Sequence, residues 1–171
     1  MREKRLKKLA QRIEALAGKD EQVIEQTRRI EQMRRQAAVE LHSVCARFAA
    51  EINRLLKDSH LDFDPPEYCP DSFHAEGANL FQINIRGRIL QVEFEAGEKL
   101  VATEEFRVPY ILEGAVRCFN QELLDREAIE EHLLFYCLEK KRNVWRFFEP
   151  RTYRTGEFDA EYLLSMLEKL V

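Results

Sequence analysis

An α+β fold is predicted by this sequence: a long N-terminal, coiled-coil-like helix followed by a small domain with an antiparallel sheet and two helices. Three observations carry that expectation. Residues 1–57 hold no proline and a single glycine, Gly18, and sustain a hydrophobic repeat of helical period. Around Arg86-Gly87, by contrast, apolar and polar side chains alternate with a period of two. The later hairpin signals do not alternate regularly with helices, which favours an antiparallel sheet over a doubly wound one.

The helix comes first. With Leu6 at the first core position of a heptad, that position recurs at Ile13, Asp20, Thr27, Arg34, Leu41, Phe48 and Leu55. The second core position then falls at Leu9, Leu16, Val23, Ile30, Ala37, Val44 and Glu51. Eleven of these fifteen positions are apolar, and the phase is kept through Gly18, so one continuous helix is expected. The alternative is a break at Gly18 with Asp20 capping a second helix, which would give a helical hairpin. Leu6, Leu9, Ile13, Leu16, Val23, Ile30, Ala37, Leu41, Val44, Phe48 and Leu55 form the expected oligomerisation seam. The flanking Ala10, Ala17, Ile24, Ala38, Cys45 and Ile52 widen the stripe, which suits a bundle or docking on a globular domain. A helix of this length at ~1.5 Å per residue would span ~85 Å, longer than a domain of this size, and that favours self-association over docking.

Residues 58–77 gather Asp62, Asp64, Pro65, Pro66, Pro70, Asp71 and Gly77 and read as a linker or long loop before a head domain at 78–171. In the head, Phe81, Ile83 and Ile85 share one strand face, Arg86-Gly87 turns the chain, and Leu90, Val92 and Phe94 share the next. A second turn is expected at Ala96-Gly97-Glu98-Lys99. A third extended segment runs from about Glu104 to Phe119, with Phe106 and Val108 opposite Arg107, bulged or split by Pro109 and Gly114. Asp125 is positioned to cap a helix ending near Lys140, with Ile129, Leu133 and Tyr136 on one face. Val144–Phe148 and Thr152–Phe158 form a hairpin across Pro150-Arg151, and Asp159 caps a last helix bearing Leu163, Leu167 and Leu170.

Composition narrows the function classes. Hydrophobic residues make up 45% of the 171, with eleven Phe, which is enough for a core and excludes global disorder. No apolar run reaches transmembrane length, and the basic start lacks the apolar region of a secretory signal. Cys45, Cys69, Cys118 and Cys137 show no close pairing, which fits reduced thiols in a cytoplasm. Residues 1–60 hold fourteen Lys/Arg and nine Asp/Glu (+5), and residues 61–171 hold thirteen and twenty-two (−9). The helix is basic and the head acidic.

No motif singles out a catalytic residue or a cofactor. Gly97-Glu98-Lys99 lacks the spacing of a phosphate loop, and no serine stands in a nucleophile elbow. His42 with Cys45 and Cys69 with His74, joined by His60, would suit zinc only if the loop folded back, and no C-x-x-C pair supports it. Neighbours on a helix point about 100° apart, so on the expected helix Glu131 and His132 do not converge, and Glu130 reads as solvated charge beside them. Lys140, Lys141 and Arg142 precede Trp145, Phe147 and Phe148, and Arg28, Arg29, Arg34 and Arg35 cluster on the helix. Either group is a candidate nucleic-acid contact, through phosphates or stacking. Trp145, the only tryptophan, is expected in the core and not on a stacking surface.

The reading is a non-enzymatic cytoplasmic interaction or scaffold protein, a homodimer through its N-terminal helix that binds a protein partner with its head. It needs no cofactor, metal or membrane. The alternatives are a nucleic-acid-binding accessory protein and an enzyme with an unrecognised pocket in the head.

Overall fold

The computed structural model describes residues 1–101, 108–120 and 130–171. Helix α1 runs Arg2–Leu55, continuous through Gly18 as the heptad phase predicts. The chain divides into two compact units, Met1–Met33 and Arg34–Val171. The first is the leading part of α1. The second, Arg34–Val171, holds the rest of α1 together with the sheet, the expected linker at 58–77 and the expected head at 78–171.

Among the described residues of this second unit, seven strands form one antiparallel sheet, each paired with its neighbours in chain order. They are β1 (Asp62–Asp64), β2 (Asn79–Ile85), β3 (Arg88–Val101), β4 (Tyr110–Asn120), β5 (Glu130–Leu138), β6 (Asn143–Glu149) and β7 (Arg154–Glu157), followed by helix α2 (Ala160–Glu168). The β2–β3 turn is the expected one. Arg86 and Gly87 both take positive φ (52° and 88°), the two-residue geometry whose twist matches the flanking strands, and the Asn84 carboxamide accepts from the Gly87 N–H. Asp159 caps α2 as expected, its carboxylate accepting from the Tyr162 N–H at 2.9 Å.

Both helical segments lie on one face of the sheet. On β6, Trp145 donates its indole N–H to the Ala37 carbonyl of α1 at 2.8 Å, and Phe147 stacks on Tyr162 of α2 with ring centroids 4.1 Å apart. These two residues are two apart in a strand and therefore share a face. Trp145 is thus a core residue, as expected, only 5% exposed. From α1, Ala37, Ala38, Leu41, His42, Cys45, Phe48 and Ala49 are buried in this unit. Arg34, a polar misfit in the heptad, ties the helix to the strands instead, donating to the carbonyls of Ile111 and Gly97, both at 2.9 Å. On the opposite face Tyr110, Phe135 and Cys137 form a smaller apolar cluster with Val108, Leu133 and Phe148.

Four expectations are corrected. The helix foreseen over 125–140 is strand β5 from Glu130 onward, while Asp125 and Ile129 lie outside the described residues. Leu134, Phe135, Tyr136 and Cys137 are consecutive and all buried, because β5 is covered on both faces. Such a strand reads as an unbroken apolar run, which periodicity alone does not separate from a helix. At Ala96–Lys99 there is no turn: β3 continues to Val101, with a register shift between Ala96 and Val101. Gly114 does not interrupt β4. A Cβ there would lie 1.9 Å from the Glu93 carbonyl oxygen, so glycine is needed because β3 passes so close. The irregularity in β4 lies instead between Tyr110 and Leu112. Finally, the expected linker contains β1, paired with β2, and a 3-10 turn at Pro70–Ser72. The expected contributions of Phe106 and Arg107 fall outside the described residues.

Candidate functional site

The expected seam divides by environment. Ala37, Leu41 and Phe48 are buried within the second unit, Ile30 and Val44 are half-buried, and Leu55 is exposed. In the first unit Leu6, Leu9, Ile13, Leu16 and Val23 stand 52–63% exposed, joined by the flanking Ile24 at 51%. Thr27, a polar core position, returns its hydroxyl to the Val23 carbonyl of its own helix.

Several of the basic candidates are engaged within the chain. Arg35 donates to the Pro70 carbonyl and lies over the Phe73 ring, and Arg34 is bound to the carbonyls of Ile111 and Gly97. Arg142 pairs with Glu157 at 2.6 Å, while Arg28, Arg29, Lys140 and Lys141 are exposed. Arg146, interleaved with the aromatic residues, forms an ion pair with Glu139. The ring that a stacking surface at this hairpin would need, Trp145, faces the core.

The loop residues weighed for zinc are dispersed in role. His42 has its Nε2 2.7 Å from the Pro65 carbonyl and lies among Phe63, Tyr68 and Phe81. Cys45 is buried, and burial pushes its thiol up to about 12. Cys69 is exposed and contacts the Ser72 hydroxyl.

The most organised polar group lies where sequence reasoning saw only solvated charge. His132 is fully buried on β5, facing α2. Its Nδ1 is 2.8 Å from the Tyr162 hydroxyl, and its Nε2 is 2.8 Å from Glu130 Oε1 and 4.0 Å from Glu149 Oε1. On a strand Glu130 and His132 share a face, whereas on the expected helix they would diverge. β6 brings Glu149 alongside, since Leu133 pairs with Phe148. Lys169 reaches Glu130 at 3.1 Å, and Thr152 donates to Glu149 Oε2 at 2.8 Å. Desolvation pushes the Glu130 carboxyl up, but bonds from His132 and Lys169 outweigh it and hold the group below its usual value. Burial raises the Tyr162 phenol, keeping it protonated. Among the described residues these three side chains, Glu130, His132 and Glu149, are the one His/Cys/Asp/Glu group able to offer a metal three ligand atoms, all within 4.8 Å of one another. The only sequence signal for it was Glu-x-His, which has meaning once the segment is read as a strand.

No helix among the described residues is long and apolar enough to cross a membrane. A scan of protein-family models finds no match, and comparisons with curated proteins and with solved structures return none.

Proposed function

We propose that this chain is a cytoplasmic, non-enzymatic interaction protein that pairs with a second copy of itself through residues 2–33. The observation that carries the reading is the exposure of Leu6, Leu9, Ile13, Leu16 and Val23 at successive heptad core positions. A half-exposed Leu or Ile leaves on the order of 100 Å² of side chain in water. Six such residues, Ile24 included, make a patch on the order of 600 Å², at the top of the range for a typical monomer. A like helix in the same register is the partner that a 3.5-residue repeat fits.

Charge supports a parallel pair. The positions flanking the seam on one side are Arg5, Arg12 and Lys19, and on the other Ala10, Ala17 and Ile24. In a parallel dimer each cation faces the partner's apolar flank, and its aliphatic stem covers it. An antiparallel pair would set cation against cation. The second unit then serves as the partner-binding head. On the sheet face opposite Trp145 an open groove is lined by Glu93, Glu95, Tyr110, Glu113 and Phe135; Arg117 there is paired with Glu93 and Glu131, and the remaining carboxylates and rings suit a basic, aromatic-bearing peptide segment. Four free cysteines, three of them buried, are consistent with a reducing compartment.

The test is sedimentation or light scattering at tens of micromolar. The unmodified chain is expected to be a dimer, and Leu9→Lys with Leu16→Lys a monomer with unchanged tryptophan emission. Leu41 is unsuitable for this test because it lies in the core of the second unit. A monomer for the unmodified chain would refute the reading.

A further inference from the structure

We propose that Glu130, His132 and Glu149 form a site for one divalent transition-metal ion of the zinc class. The donors are one imidazole nitrogen and two carboxylate oxygens, already within 4.8 Å of one another. Ligands at ~2.0–2.2 Å from a tetrahedral ion stand roughly 3.4 Å apart. Closing on a metal therefore requires two kinds of side-chain adjustment: a widening of the 2.8 Å contact between His132 and Glu130, and an approach of Glu149, which now lies 4.0 Å from His132. The nitrogen donor disfavours magnesium and calcium, which take oxygen ligands, and suits zinc, with cobalt as its spectroscopic substitute. Three protein ligands leave a coordination position for water or an exogenous ligand.

The surroundings are those a ligating histidine needs. Tyr162 holds the other ring nitrogen at 2.8 Å, fixing the ring plane from outside the ligand set. A hydroxyl can donate or accept. Without metal, the phenol donates to Nδ1 and Nε2–H donates to Glu130. With metal, Nε2 offers its lone pair, the ring proton resides on Nδ1, and the phenol oxygen accepts it. Phe147, stacked on Tyr162, backs the assembly with an apolar wall.

Two cations compete for the carboxylates: Arg154, whose Nε lies 3.9 Å from Glu149 Oε2, and Lys169. Its ammonium sits 3.1 Å from Glu130 Oε1, where it offsets carboxylate charge that a metal would otherwise neutralise. Its side chain is 40% exposed, so it is free to turn into water when an ion enters. Glu130 and Glu149 are partly exposed, which leaves an entry path, although His132 itself is sealed.

The experiment is a zinc titration of the chelator-treated full chain against a chromophoric chelator, repeated with Co²⁺ by visible absorption. One equivalent per chain is expected. Glu130→Gln and Glu149→Gln should each weaken binding by about 10-fold or more. Tyr162→Phe should weaken it less. Lys169→Met should tighten it, a change of sign that a merely structural role for the cluster does not produce. Folding of each variant is checked by circular dichroism. If a glutamine variant does not fold, the Co²⁺ spectrum of the unmodified chain decides. Nitrogen and oxygen ligation without a thiolate charge-transfer band supports the site, and a thiolate band places the ion at a cysteine instead. Absence of stoichiometric uptake, or uptake unchanged in the doubly substituted chain, overturns the proposal.

Discussion

Deleting residues 1–33 and deleting residues 1–57 are expected to give opposite results. The shorter deletion removes a helical segment that forms its own compact unit. The longer one also removes Ala37, Ala38, Leu41, His42, Cys45, Phe48 and Ala49, which are buried. Burying a Leu or Phe side chain is worth about 1.5–3 kcal/mol and a methyl-sized increment about 0.8 kcal/mol. Two large side chains, three alanines and a cysteine together contribute on the order of 6–10 kcal/mol. The sheet loses a comparable amount from its own side, since Trp145 and Phe81 lose their covering contacts with Ala37 and His42. The total, on the order of 12–20 kcal/mol, matches or exceeds the roughly 5–15 kcal/mol by which domains are stable, so a chain starting at residue 58 is expected not to fold. Trp145 reports this directly as the only tryptophan. In 34–171 its emission should be blue-shifted and resistant to iodide, with one cooperative urea transition. In 58–171 it should be red-shifted and quenched. A 58–171 fragment that unfolds cooperatively with blue-shifted emission would refute the argument and return the domain boundary to the linker.

Two smaller perturbations test local claims. Gly114→Ala places a Cβ against strand backbone, 1.9 Å from the Glu93 oxygen and 2.7 Å from the Phe94 Cα, and should cost at least about 3 kcal/mol in urea unfolding. Gly18→Ala meets nothing within 4 Å and should strengthen the helix by up to ~1 kcal/mol; equal effects from the two would show that β3 and β4 are less tightly apposed than these distances require. The Arg146 hydrogen bond holds the Glu139 carboxyl below its usual value, so the pair stabilises the folded chain at neutral pH and the contribution fades as pH falls through that lowered value. Glu139→Gln should therefore cost at most about 1 kcal/mol at neutral pH, with the gap from the parent closing in acid; a gap that persists near pH ~3 would mean that packing, not charge, is responsible.

The heptad phase made α1 legible to within two residues of its end, because a 3.5-residue repeat survives isolated polar positions. It could not say what each part of the stripe faces. Leu9 and Leu41 obey the same rule, yet one is half in water and the other lies beneath a sheet. Burial of Trp145 was readable from its aromatic neighbours, but its carbonyl partner at Ala37 lies 108 residues away and no local pattern reports it. The hairpin at Arg86-Gly87 and the cap at Asp159 were readable because both are local chemistry. β5 was not, and the His132 cluster went with it. Glu130 and His132 converge only at a strand's period of two, so misjudging the period hid the contact.

The bond between Trp145 and Ala37 also sets a timetable for the nascent chain. The sheet is assembled from sequence neighbours, so each strand can pair soon after it leaves the ribosome. The helix face has early partners at His42, which lies among Phe63, Tyr68 and Phe81, but at Ala37 its partner is Trp145. At roughly 5–20 residues per second, the 108 residues that separate it from Trp145 take about 5–20 s to synthesise. For that interval the Ala37 end of the stripe waits for the part of its cover that Trp145 supplies. The leading heptads, emerging earlier still, are exposed alongside it. If the leading heptads pair as proposed, two chains growing on one message would present them to each other before either has completed its sheet.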